Sequence, residues 1–258
     1  MIDLHCHIIP GVDDGPASLE ETQAMLAMAA ADGIEAISAT PHCDLRYPYD
    51  PERCRAELAR IQRSCPGVPR LHLGCELHLT PENIDRVLKT PVDFTLNGGD
   101  CLLVELPDRI TPAALDAAFS AFQDSGLRTV IAHPERNLYL QKNPRHVRAL
   151  VESGCYFQIT AQSLAGAFGA PAERFARAFL KERLVHFIAT DSHGPERRRP
   201  LLSRAFTETE RRWGQATAKL LCVANPRAAL ESGPIQHMGA GSKLFFSLFR
   251  TSYGLANQ

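Results

Sequence analysis

The 258-residue chain contains no C-x-x-C pair, no G-x-S-x-G elbow and no phosphate-cradling G-x-x-x-x-G-K loop. Those absences exclude the usual structural zinc ribbons, the α/β-hydrolase nucleophile and the P-loop. Its eight cysteines (Cys6, Cys43, Cys54, Cys65, Cys75, Cys101, Cys155 and Cys222) are scattered, which fits reduced thiols better than a disulfide framework. No apolar run reaches the roughly 18 residues that span a bilayer. Met1-Ile2-Asp3-Leu4-His5 also lacks the basic and apolar stretches of a secretory signal, so the expected location is cytoplasmic. A formal net charge of −1 leaves no electrostatic footprint for nucleic acid. Internal repeats and low-complexity linkers are missing too.

What remains is 45% apolar sequence, enough for a sizeable core, in a length that suits one β/α barrel of about 250 residues. Seven β-rich runs, at 2–5, 34–40, 70–75, 102–105, 129–132, 155–159 and 186–190, alternate with helical patterns. Such alternation predicts a parallel sheet of the α/β class, as a closed or nearly closed barrel or as a doubly wound open sheet. Helix starts are marked by the capping box Ser18-Leu19-Glu20-Glu21 and by Asp50-Pro51, Thr111-Pro112 and Asn143-Pro144.

The carboxyl ends of these runs carry His5 and His7, His42, Glu76, Glu105, His133, and Asp191 with His193. Barrel active sites assemble at that rim, because loops from every strand converge there. His5 and His7 flank Cys6, and the two-residue strand period sends both imidazoles to one side and the thiol to the other. Asp191-Ser192-His193 repeats the spacing. Asp13-Asp14 follows the first strand, and Asp14 is the preferred ligand of the two. With Asp14 the set numbers nine, enough for two or three ions if carboxylates bridge. A mixed imidazole and carboxylate shell suits Mn²⁺, Fe or Zn²⁺ rather than a calcium cage. Neighbouring ions of this kind activate water and clamp the oxygens of a phosphoryl group. A lone histidine at a strand end is most often hydrogen-bonded structure; nine ionisable groups crowded together need a cation.

Arginines stand beside the ligands. Arg136 follows His133 in His133-Pro134-Glu135-Arg136-Asn137, and Arg197-Arg198-Arg199-Pro200 follows His193. Guanidinium groups there would fork onto phosphate oxygens, with Arg136 and Arg199 expected in that role and Arg197 at the surface. Cys54 and Arg60 match the C-x5-R spacing of cysteine-based phosphatases, but the intervening Arg-Ala-Glu-Leu-Ala is helical in character and offers no nest of backbone N–H groups.

Asp3-x-His5-x-His7-x-x-Pro10-Gly11-x-Asp13-Asp14-Gly15, Ala39-Thr40-Pro41-His42, Val104-Glu105-Leu106-Pro107, Ala132-His133-Pro134-Glu135-Arg136-Asn137, Gln158-Ile159-Thr160 and Thr190-Asp191-Ser192-His193 stand in this order in the chain. Together they resemble the bacterial polymerase-and-histidinol-phosphatase (PHP) type protein tyrosine phosphatases of capsule and exopolysaccharide clusters, from residue 1 to about 231. The resemblance implies a distorted seven-stranded β/α barrel and a manganese-preferring trinuclear site on the nine residues above. It also implies phosphate contacts from Arg136 and from the arginine before Pro200, Arg199, or from Arg198 if the spacing after Asp191 is stretched, and action on a membrane-associated partner tyrosine kinase. Histidinol phosphatases and nucleases would use the same metals. Amidohydrolases also open with H-x-H but often bridge metals with a lysine, where Glu105 stands here. A non-catalytic phosphoprotein-binding module is the alternative outside enzymes. Residues 233–258 form a tail beyond the 1–232 domain. Phe245, Phe246 and Phe249 there offer either docking to a kinase or second subunit, or an apolar end folded on the barrel.

Overall fold

A computed structural model describes residues 1–238 except 66 and 68. Nine strands run along it: β1 Ile2–Cys6, β2 Ala36–Ala39, β3 His42–Cys43, β4 Arg70–Leu73, β5 Glu76–His78, β6 Cys101–Glu105, β7 Arg128–Ala132, β8 Tyr156–Thr160 and β9 Phe187–Ala189. All pair in parallel, in the orders β1-β2-β4 and β3-β5-β6-β7-β8-β9. Backbone hydrogen bonds bridge the two ladders at both seams. Asp191 N–H donates to the His5 carbonyl and His7 N–H to that of Ser192; at the other seam Glu76, at the head of β5, donates to Pro41, which follows β2. The ladders thereby curl into a distorted parallel barrel rather than an open doubly wound sheet.

The seven expected strand runs correspond to these nine strands because two of them are broken. The second run pauses at Thr40-Pro41, where proline has no N–H to give a ladder, and resumes as β3. The third pauses at Gly74-Cys75 and resumes as β5. Both resumptions begin on a candidate ligand, His42 and Glu76, which are register partners.

Side-chain caps set three of the four expected helix starts. Ser18, Asp50 and Thr111 accept from Glu21, Arg53 and Ala114 N–H at the heads of Leu19–Ala31, Pro51–Ser64 and Pro112–Asp124. The helix Pro144–Glu152 also begins as expected, but Asn143 does not cap it. Asn143 instead donates to the Tyr139 carbonyl, because a short helix, Leu138–Lys142, ends there. Cys54 and Arg60 lie within Pro51–Ser64, with Arg60 paired to Glu57, so no phosphate loop forms between them.

Two apolar clusters support the rim. The larger packs helices on the strands and takes in Cys6, Ile37, Leu102, Phe157 and Ile188. The smaller holds Cys101 and Leu103, on the strand face that ends in Glu105, with Phe187 and Ala189, on the face that leads to Asp191. It forms a floor under the ionisable groups. Ile235 belongs to this floor and Met238 to the larger cluster, so the first residues of the tail pack against the barrel. Phe245, Phe246 and Phe249 lie outside the described residues.

Candidate metal centre

His5, His7, Asp14, His42, Glu76, Glu105, His133, Asp191 and His193 all converge at the carboxyl rim. They form four overlapping groups in which ligand atoms lie within 4.8 Å of one another: His7-Asp14-His42-His193, His5-His7-Glu76, His5-His133-Asp191 and His42-Glu76-Glu105. Glu76 is shared between two groups. Its Oε2 stands 3.4 Å from both His5 Nε2 and His7 Nε2 and 2.9 Å from His42 Nδ1, while its Oε1 stands 2.6 Å from His133 Nε2.

The hydrogen bonds around the imidazoles show why a cation belongs among them. His5 Nδ1 is 2.9 Å from Gln158 Oε1, and His7 Nδ1 is 2.7 Å from Asp13 Oδ2. Each oxygen accepts a hydrogen bond from its Nδ1–H, so a bound cation would meet the Nε2 lone pairs, whereas without one the surrounding carboxylates favour a proton there. Those two Nε2 atoms face each other at 3.2 Å. Two lone pairs at that separation repel, and a shared cation removes the conflict. Glu76 Oε2 and both carboxylate oxygens of Asp191 are buried with no partner in hydrogen-bonding geometry, although charged groups stand close to all three. Buried carboxylate oxygens beside facing imidazole nitrogens are a donor set for divalent metal, and they fit the mixed nitrogen and oxygen shell read from the sequence.

Of the aspartate pair, Asp14 reaches the cluster, with Oδ1 3.3 Å from both His42 Nε2 and His193 Nε2. Asp13 instead orients His7 and accepts from the N–H groups of Gly15 and His42. Gly15 is required there: a Cβ would sit 2.8 Å from the His7 carbonyl and 2.9 Å from Asp13 Oδ1. Asp3 is a second buried carboxylate that sequence reasoning passed over. It accepts from Thr190 N–H at 2.8 Å and from the Thr190 hydroxyl, fixing the residue before Asp191. Burial raises its pKa to about 6. Asp3 lies two residues before His5 on the same strand face, and that spacing was the available signal. His78, 3.0 Å from Glu105, was also missed.

The field at the rim is negative. Burial works against protonated imidazole, yet Asp14 and Glu76 together raise His42 to about 10. His5 and His7 are raised as well, against burial, by the carboxylates around them. His193 is lowered, by burial first and then by His7. Burial also pushes the Cys6 thiol well up, so it remains protonated against Ser192, 3.0 Å away, and packs rather than ligates.

Two arginines enter the same space. Arg136 Nη2 lies 2.6 Å from Asp191 Oδ2, and Arg198 pairs with the same oxygen while its Nη1 stands 3.1 Å from His193 Nε2. Against burial, Arg136 and His5 hold Asp191 well below the usual carboxylate range. Arg199, the first choice from sequence, turns away to Glu196 at 3.6 Å, and Arg198 takes the inward position. The reason is local: Arg198 has φ +53°, a left-handed residue that reverses the direction of the chain between the two side chains. His133 and Asp191 are likewise left-handed, at φ +32° and +52°, so three rim residues hold uncommon backbone conformations.

A cavity of about 260 Å³ opens over Glu76, Glu105, His133, Arg136, Asp191 and Arg198. Larger hollows of about 580 and 460 Å³ lie beside His72 and Asn97, away from the ionisable cluster. Chemistry rather than volume locates the site.

A parallel β/α barrel with clustered imidazoles and carboxylates at its carboxyl rim defines a metal-dependent hydrolase. The sequence profile of the capsular polysaccharide synthesis family CpsB/CapC matches residues 1–231, and the chain belongs to that family. Tyrosine-protein phosphatase YwqE of Bacillus subtilis is 33% identical over 226 residues, covering 86% of this chain and 88% of the relative. Tyrosine-protein phosphatase CpsB of Streptococcus pneumoniae is 32% identical over 236 residues, covering 88% and 97%. A solved structure from work on YwqE and CpsB, described as unique metal-dependent tyrosine phosphatases, superposes with a TM-score of 0.83 at 30% identity, over 92% of this chain and 97% of the other. A lactonase from Listeria monocytogenes shares the fold alone, with a TM-score of 0.57 at 11% identity over 89% of this chain and 94% of the other.

Proposed function

We propose that this chain is a metal-dependent protein tyrosine phosphatase. Its substrate in this reading is a tyrosine-phosphorylated protein, a membrane-associated kinase that controls capsule or exopolysaccharide production, and it acts from the cytoplasm. The nine rim residues hold two or three divalent ions, Mn²⁺ before Fe or Zn²⁺. One observation carries the reading: facing imidazole nitrogens and buried carboxylate oxygens stand directly beside a pair of inward guanidinium groups.

Bound ions there supply Lewis acidity to a phosphoryl group and to water. The chain's own residues do the rest. Gln158 and Asp13 keep His5 and His7 in the tautomer whose Nε2 faces the centre. Arg136 and Arg198 take the phosphoryl oxygens through charge-assisted hydrogen bonds and oppose the charge that builds on them during transfer. The cavity is smaller than the roughly 300–1,000 Å³ of sites that enclose a drug-sized molecule. It suits a phosphoryl group on the tip of a side chain, with the rest of the substrate outside. The absence, among the described residues, of any helix long and apolar enough to cross a membrane, and eight free cysteines, support the cytoplasmic assignment.

Hydrolysis of a tyrosine-phosphorylated peptide and of histidinol phosphate, by metal-stripped protein with and without Mn²⁺, tests the proposal. Mn²⁺-dependent preference for the peptide is expected. Preference for histidinol phosphate moves the protein to small-molecule metabolism, and activity that survives complete metal removal refutes the mechanism.

A further inference from the structure

β8 ends at Thr160 without a candidate ligand, yet the loop after it is tied to both arginine-bearing turns. Glu135, fully buried and adjacent to Arg136, accepts from Thr160 N–H at 2.9 Å and from the Ser163 hydroxyl at 2.7 Å. Gln162 donates to the carbonyl of Arg199, the neighbour of Arg198, at 2.9 Å. The loop is thus bonded to both arginine-bearing turns. Arg177 holds its middle through the Leu164 carbonyl, and Gly169 N–H closes its end onto the Gly166 carbonyl.

At the tip of this loop sits Phe168. The Arg136 guanidinium carbon lies 4.5 Å from its ring centroid and that of Arg198 lies 5.6 Å away. Both are within the distance at which a cation is attracted to an aromatic quadrupole. Phe168 is half-buried and belongs to neither apolar cluster, whereas every other described phenylalanine belongs to one. Its ring is therefore placed for the guanidinium groups and not for the core.

We propose that Phe168 is a positioning residue for phosphoryl recognition, its ring the shared platform that holds Arg136 and Arg198 as one fork over the rim. The inference rests on the phosphatase reading for the identity of the anion. Without the platform each guanidinium keeps its charge but gains rotamers, so anion affinity falls while the metal ligands are untouched. Leucine fills similar space without a quadrupole, and tyrosine keeps the ring.

The test compares wild type with Phe168→Leu, Phe168→Ala and Phe168→Tyr in the Mn²⁺-loaded protein. KM and kcat on a tyrosine-phosphorylated peptide, calorimetric affinity for inorganic phosphate, and metal content are measured for each. The leucine and alanine variants are expected to raise KM and the phosphate dissociation constant about tenfold, the size of two weak cation–π contacts. Their kcat changes less, the tyrosine variant stays within about twofold of wild type, and metal content is equal throughout. If the alanine variant fails to fold, the leucine and tyrosine variants still make the comparison. A leucine variant equal to wild type in both KM and phosphate affinity overturns the inference, as does a tyrosine variant no better than leucine. Wild type that binds phosphate through Phe168 but does not turn over the peptide sinks the phosphatase reading and leaves the platform standing. Wild type that neither binds phosphate nor turns over the peptide removes both.

Discussion

Histidines meet at both ends of this barrel, with opposite chemistry: the rim pair is fully buried, whereas at the base a buried His186 meets an exposed His237. At the carboxyl rim His5 and His7 direct their Nε2 lone pairs at each other across 3.2 Å. At the base His186 Nδ1 accepts from Phe157 N–H at 3.1 Å, so its Nε2–H donates to His237 Nδ1 at 2.9 Å. Every ring nitrogen of His186 is satisfied without a cation. The surroundings differ in the same sense: carboxylates raise His42 to about 10, whereas burial, with a second imidazole alongside, drives His186 down to about 3. Proximity of imidazoles therefore does not make a metal site. Orphaned carboxylates and facing lone pairs do.

The largest effect that sharpens this contrast comes from the rim carboxylates. Glu76→Gln or Asp191→Asn is expected to abolish turnover and lower bound metal, measured by phosphopeptide hydrolysis and metal analysis, while His237→Asn at the base leaves both unchanged. Turnover retained by Asp191→Asn would break the comparison outright. Next, Arg198→Ala is expected to lower kcat/KM by about 10²-fold, the scale of losing a charged hydrogen bond in transition-state binding. Arg199→Ala is expected to stay within about twofold; equal losses would return Arg199 to the site. Third, Gln158→Leu frees the tautomer of His5, and metal titration is expected to show affinity weakened by about 10–100-fold.

The smallest effect belongs to the base. His186 is held neutral in the folded chain but titrates near 6.5 when unfolded. The unfolded state thus binds the extra proton first, and stability contributed by this group is full above about 6.5 and lost as pH falls toward about 3. Denaturant melts of wild type and His186→Asn across that window are expected to differ in pH slope by up to about one proton. Parallel slopes would show that the base pair does not titrate as described.

Much of the rim was legible because strand ends carry their residues to one place whatever the barrel's irregularities. The grouping of His5, His42, Glu76 and Asp191 needed only the period of strands and the rule that loops converge at their carboxyl ends. The splitting of two strands was not legible, since β3 has two residues and no pattern fits so short a run. The choice between Arg198 and Arg199 depended on one left-handed φ among three consecutive arginines, and a loop has no periodicity to reveal it. Gln158 was visible within the sixth run, but its role depends on which ring nitrogen it meets, which only the packed structure determines.

The seam between the first and last strands has a consequence for how the protein is made. Asp3 grips Thr190 across a separation of 187 residues, and the ligands His5 and Asp191 meet only when that clasp closes. A nascent chain carries the H-x-H pair well before the carboxylate opposite, because residues 8–190 lie between them. Ion binding by the complete set of rim residues would therefore wait until that clasp has closed.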